Sequence, residues 1–141
     1  MARTVLKFGG TSVADLDRIS HVADIVAHRA ANGEKIAVIV SAMSGETNKL
    51  VSLAKGAAGT EVIGDAFDDE YDVVVASGEQ VTSGLLALSL RKRGLNARSW
   101  LGWQMRMKTR EGHGAARIDG FDEDSGRSVQ KCCKRARSSS Q

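Results

Sequence analysis

The run Lys35-Ile36-Ala37-Val38-Ile39-Val40-Ser41-Ala42 constrains the fold of this chain more than any other feature. Its continuous apolar, β-branched character is that of a strand buried on both faces, which in α/β proteins usually means a parallel sheet. Ahead of it, residues 3–8 (RTVLKF) read as a short strand ending in Gly9-Gly10. Val13, Leu16, Ile19, Val22, Ala23, Val26 and Ala27 then recur at spacings of three and four, one apolar face of a helix running to about Ala31. Asn32-Gly33 closes that helix as a C-terminal cap should. Strand, helix and strand make a βαβ unit.

Downstream, Thr47 is a plausible N-cap for a helix over 48–57, and Gly56 to Gly64 is small and irregular. The acidic stretch Asp65–Asp72, holding Phe67 and Tyr71, opens or links helices. From Ser77-Gly78-Glu79 onward, Val81, Leu85, Leu86, Leu88 and Leu90 build another apolar face, ending near Arg93-Gly94. Residues 96–101 (NARSWL) read as a strand, 105–110 as a strand or extended loop, and 113–118 as a lead into a further strand.

Charge is divided unevenly. The chain has 141 residues and a formal charge of +3, but residues 125–141 hold five basic and no acidic side chains, leaving the body at −2. A slightly acidic body has no basic face for nucleic acid, so none is expected as a partner. The tail has the composition of a disordered segment. Cys132 and Cys133, the only cysteines, are adjacent, which suits neither a disulfide between distant elements nor a four-ligand zinc site. With no apolar leader and no run of about 18 apolar residues, a cytoplasmic protein without a membrane span is expected.

Three turns rich in Gly, Ser and Thr carry the chemistry. In Lys7-Phe8-Gly9-Gly10-Thr11-Ser12, glycines after a strand let backbone N–H groups approach an anion, and Lys7 adds a full positive charge. The pattern is neither a Walker A loop nor a GxGxxG fingerprint, and a plain strand-to-helix turn with Lys7 solvated satisfies it equally. In Ser41-Ala42-Met43-Ser44-Gly45-Glu46-Thr47-Asn48, hydroxyls stand at the C-terminal end of a buried strand, where ligands of open α/β sheets sit, although helix capping explains them too. In Ser77-Gly78-Glu79-Gln80, a carboxylate at a helix start could cap free N–H groups or bind a substrate ammonium. His113, between two glycines, reads as a surface residue, and Trp100 and Trp103 as core or rim packing.

Together KFGGTS at 7–12, SAMSGETNKL at 41–50, SGEQVTSGLLALSL at 77–90 and ARSWLGWQ at 97–104 resemble the N-terminal half of an aspartate kinase of the amino-acid-kinase family. The resemblance covers roughly residues 2–120 and includes HGAARI at 113–118. It implies a three-layer α/β/α sandwich with a mainly parallel sheet, incomplete here. It also implies ATP-dependent phosphorylation of the L-aspartate side-chain carboxylate to 4-phospho-L-aspartate, the first step towards lysine, threonine and methionine. Residue by residue, Lys7 would stabilise the transferring phosphoryl oxygens, Phe8, Gly9 and Gly10 would line the phosphates with backbone groups, and Ser41 would lie beside them. Thr47 and Glu79 would bind the amino acid, Glu79 through its ammonium. Mg²⁺ would accompany the nucleotide, and no dedicated protein cage for it is visible.

Met105-Arg106-Met107-Lys108 stands where the family more often has an apolar, proline-bearing strand entry, and after about Asp119 the pattern vanishes. The division expected is therefore a partial catalytic domain over 1–120 and a basic, non-family tail over 121–141, of the kind a shifted reading frame produces. Such a chain is expected to have little activity alone, and to form a homo-oligomer or pair with another aspartate kinase chain. The competing reading from a different class is a non-catalytic ligand-binding or interaction fragment of the same fold.

Overall fold

The computed structural model describes residues 2–61 and 67–122. Of the expected tail over 121–141 all but the first two residues lie outside them, as do residues 62–66 of the segments read as irregular and acidic.

The βαβ unit forms as the periodicity predicts. Strand β1 (Arg3–Phe8) pairs in parallel with β2 (Lys35–Val40), in a register that sets Lys7 opposite Ile39 and Phe8 opposite Val40. A short 3₁₀ turn (Gly10–Val13) leads into helix α1 (Leu16–Ala31). Asp15 caps α1, its carboxylate accepting the Arg18 N–H at 2.8 Å, and the helix stops at Asn32 and Gly33, where φ reaches +82°.

Helix α2 (Glu46–Ala58) starts earlier than expected, and its N-cap is Gly45, not Thr47. The Glu46 N–H bonds the Met43 carbonyl at 3.1 Å across a tight turn whose Gly45 has φ +81°, a conformation open to glycine and costly for threonine. Helix α3 (Asp68–Lys92) is longer than the apolar face from Ser77 suggested. Asp68, Asp69 and Glu70 fill its first turn and Arg91 and Lys92 its last, both complementing the helix dipole. Its length and apolarity match those of a membrane-crossing helix, but Gly78, Thr82, Leu86 and Leu90 form a buried stripe, and it packs against α1 and α2, as a core helix does.

One core joins these elements. Val13, Ile19, Val22, Ala23 and Val26 meet Leu86 and Leu90 of α3, and Leu6, Phe8, Ile36, Val38 and Val40 pack against them from the sheet. The sheet contributes only that face. Both strands alternate half-buried with exposed residues, and Val5 and Ile39 stand 66% and 53% exposed on the other side. The expectation that 35–42 is buried on both faces therefore fails among the described residues, because α1 and α3 cover the same side.

Residues 96–101 form no strand either: no described strand pairs with them, and a strand exists only through its ladder. The described residues instead close with an antiparallel hairpin, β3 (Met107–Arg110) with β4 (Arg117–Phe121). Its tip docks on the first turns of α3, where Asp72 Oδ2 lies 3.1 Å from His113 Nδ1 and accepts the Gly114 N–H at 3.1 Å. Trp103 is 71% exposed and not core, whereas Trp100 carries the Arg98 guanidinium 4.5 Å from its ring centroid.

Candidate functional site

Parallel strands end on the same edge, so the segments that leave β1 and β2 must run side by side. The Ser41 N–H donates to the Phe8 carbonyl at 3.2 Å and extends the pairing one residue past the strands. Beyond it the glycine turn and the Ser41–Gly45 loop approach until a Cβ on Gly10 would lie 2.9 Å from the Ala42 carbonyl oxygen. Backbone cannot give way there as a flexible side chain can, so only glycine fits.

The third motif reaches the same place from α3. A Cβ on Gly78 would lie 2.9 Å from the Ala42 Cβ and 3.2 Å from Leu50 Cδ1. The next residue, Glu79, accepts the Ala42 N–H on Oε1 at 3.1 Å. Ala42 itself is 4% exposed. All three motifs, spread from Lys7 to Gln80, thus converge on one residue, Ala42.

The position of Glu79 corrects the expectation that it opens a helix. It lies in the middle of α3, eleven residues past Asp68, where the helix's own ladder satisfies the backbone N–H groups. First-turn capping is not available to it, and its carboxylate turns outward to the loop.

The remaining candidates sit around this junction. The N–H groups of Gly9, Gly10, Met43 and Ser44, on the two adjoining turns, donate to no other described residue. Phe8 is half-buried under the glycine turn and anchors it in the core. Lys7 is exposed on the uncovered face of the sheet, and Thr47 is exposed in the first turn of α2; neither side chain makes a hydrogen bond or ion pair among the described residues. The structure brings Gly10, Ser41 and Glu79 together around Ala42 and shows no contact of the Lys7 or Thr47 side chain with that junction among the described residues.

Ala42 is the residue that sequence reasoning missed, and the signal for it lay in Gly78. A glycine inside an otherwise long helix costs about 1 kcal/mol relative to alanine, so it invites the search for a close approach, which Gly78 makes and Gly84 on the same helix does not.

The perturbed ionisable groups lie elsewhere. The hydrogen bond from Arg93 holds the Asp24 carboxyl below the usual carboxylate range, and Asp24 in turn raises Arg93. A hydrogen bond from the Thr4 hydroxyl, aided by Arg29, lowers Glu34. These pairs tie elements together away from the candidate site.

Comparison with known proteins agrees with this architecture. The model of the amino acid kinase family matches residues 2–129. The chain is 47% identical over 123 residues to an aspartate kinase of Pseudomonas fluorescens (strain SBW25), covering 87% of this chain and 29% of that one. It is 42% identical over 124 residues to an aspartokinase of Rickettsia conorii (strain ATCC VR-613 / Malish 7), covering 88% and 30%. The crystal structure of the aspartate kinase from Synechocystis superposes with a TM-score of 0.58 at 35% identity, over 66% of this chain and 15% of that one. The chain therefore spans under a third of the length of the curated relatives it matches.

Proposed function

Because the chain belongs to the amino acid kinase family, we propose that it binds ATP and L-aspartate for transfer of the γ-phosphoryl group to the aspartate side-chain carboxylate, giving 4-phospho-L-aspartate. The single observation that carries this reading is the convergence on Ala42 of a glycine turn, a hydroxyl-bearing loop and a carboxylate. An anion cradle beside a carboxylate suits a phosphate on one side and an amino acid ammonium on the other.

The acceptor is already ionised at neutral pH, so the reaction needs positioning and charge neutralisation more than proton abstraction. In this reading the Gly9 and Gly10 N–H groups and the Ser41 hydroxyl hold the phosphates, and Lys7 neutralises charge developing on the transferred group. Thr47 and the free oxygen of Glu79 hold the amino acid. Mg²⁺ does not fit as a resident ion: among the described residues no group of three or more His, Cys, Asp or Glu could hold a metal. It belongs with the nucleotide phosphates, whose charge it offsets, and no step is assigned to it.

The test is isothermal titration of the 141-residue chain with Mg·ATP and with L-aspartate, alongside a coupled assay of ADP release. Binding of both ligands, with ATP affinity reduced in Lys7→Met and aspartate affinity reduced in Glu79→Gln, supports the reading. Binding without turnover supports the fragment reading, and no binding of either ligand overturns both.

A further inference from the structure

Ala42 is fixed from three directions. Its N–H is bonded to Glu79 Oε1 at 3.1 Å, its Cβ is set against Gly78, and its carbonyl faces Gly10. The packing contact limits how close the loop comes to α3 but does not set how its peptide is turned; the hydrogen bond does. The Ala42 N–H is therefore spent on Glu79, and the donors left for an anion are those on either side of it, at Gly9, Gly10, Met43 and Ser44. Without the carboxylate, the Ser41–Ala42 peptide loses the bond that orients it, and the segment that carries the Met43 and Ser44 N–H groups continues from that peptide through the Ala42 Cα.

We propose that Glu79 is a positioning residue for the phosphate side of the site: through the Ala42 amide it holds the Ser41–Ser44 loop facing the glycine turn. This rests on the reading of that loop as phosphate-binding. A carboxylate has two oxygens and about four lone-pair sites, so Oε1 keeps the amide while the other oxygen takes a substrate ammonium. The two ligands are then coupled through one side chain. Whatever one ligand does to the affinity of the other is returned in equal measure, because coupling between sites is reciprocal.

Substitution at Glu79 separates the two roles. Glu79→Gln keeps a carbonyl oxygen for the Ala42 N–H and loses the charge for the ammonium. Glu79→Ala loses both. In the full chain, the exchange rate of the Ala42 amide proton is read by NMR without ligand, and Mg·ATP affinity is read by calorimetry. Glu79→Ala is expected to exchange Ala42 about tenfold faster and to bind ATP about tenfold more weakly, the scale of one lost charge-assisted hydrogen bond. Glu79→Gln keeps a neutral bond to the Ala42 N–H and is expected to change both by clearly less than Glu79→Ala does, while losing aspartate affinity as far as Glu79→Ala. An equal unfolding midpoint in both variants excludes a general loss of fold.

Unchanged Ala42 exchange in Glu79→Ala overturns the proposal, as does faster exchange with undiminished ATP binding. A parent chain that binds no ATP overturns instead the functional reading of the previous section. The Ala42 exchange, measured without ligand, still decides in that case whether Glu79 holds the loop.

Discussion

Gly78→Ala opposes two effects of known size. In a helix interior, alanine is favoured over glycine by about 0.8–1 kcal/mol. At position 78, however, the new methyl lies 2.9 Å from the Ala42 Cβ and 3.2 Å from Leu50 Cδ1. Carbon atoms pack at about 3.5–4.0 Å, so the Ala42 contact must open by roughly half an ångström or more. The end of Leu50 can swing away. The Ala42 Cβ cannot move without its backbone, which is bonded to Glu79 on one side and crowded by Gly10 on the other.

Overpacking of this kind costs about 1–3 kcal/mol, so the net expectation is a loss of up to about 2 kcal/mol. Gly84 supplies the internal control: it lies on the same helix, and a Cβ there meets nothing within 4 Å. Gly84→Ala should gain the full propensity term of about 1 kcal/mol. Urea denaturation followed by far-ultraviolet circular dichroism measures both, and Ala42→Gly in the Gly78→Ala background should recover part of the loss. If Gly78→Ala stabilises the chain as much as Gly84→Ala does, α3 does not press on Ala42, and the convergence of the three motifs is refuted.

Gly10→Ala should destabilise by about 1–3 kcal/mol, since its Cβ meets the Ala42 carbonyl, while Gly9→Ala, with nothing within 4 Å, should leave the melting midpoint near that of the parent. Asp15→Ala removes the cap of α1 and should cost about 1 kcal/mol, read by chemical denaturation. Arg93→Ala breaks bonds to Asp24 Oδ1 at 2.7 Å and to the Ser20 and Ser89 hydroxyls at 2.8 Å each, freeing α3 from α1, and should lower the melting midpoint. Asp24 and Glu34 are both held below their ordinary values, so each contributes stability above about pH 4 that is lost as pH falls through its depressed value. Asp24→Asn with Glu34→Gln should flatten the acid limb of a stability profile; an unchanged limb between pH 5 and pH 2 would count against both ties.

Much of the βαβ unit was legible because its pattern is local. The spacing of Val13 to Ala27 reports one helix face, and the Asn32-Gly33 stop is a backbone requirement that residue type reveals. The errors came where a neighbour decides the outcome. Residues 96–101 have strand composition and no strand beside them. β2 looks buried on both faces and has helices on one. The start of α3 was set too late because Ser77-Gly78 resembles a break, whereas packing on Ala42 turns that glycine into a fit.

The candidate site divides along the same line. Lys7, Gly9, Gly10, Ser41, Thr47 and Glu79 were legible because their side chains, or the lack of one, announce a chemistry. Ala42 was not, because what it contributes is an N–H, a carbonyl and a small volume, and nearly every residue has the first two. Its importance arises from the sheet: two parallel strands deliver their C-terminal turns to one edge, and a helix with a glycine at position 78 comes close enough for the adjacent carboxylate to reach the loop. Such a junction is sensitive to volume in a way that charge-based reasoning overlooks. Ala42→Val changes no charge, yet it would press on Gly78 and Leu50 and turn the amide from Glu79, so it should weaken ATP binding as Glu79→Ala does.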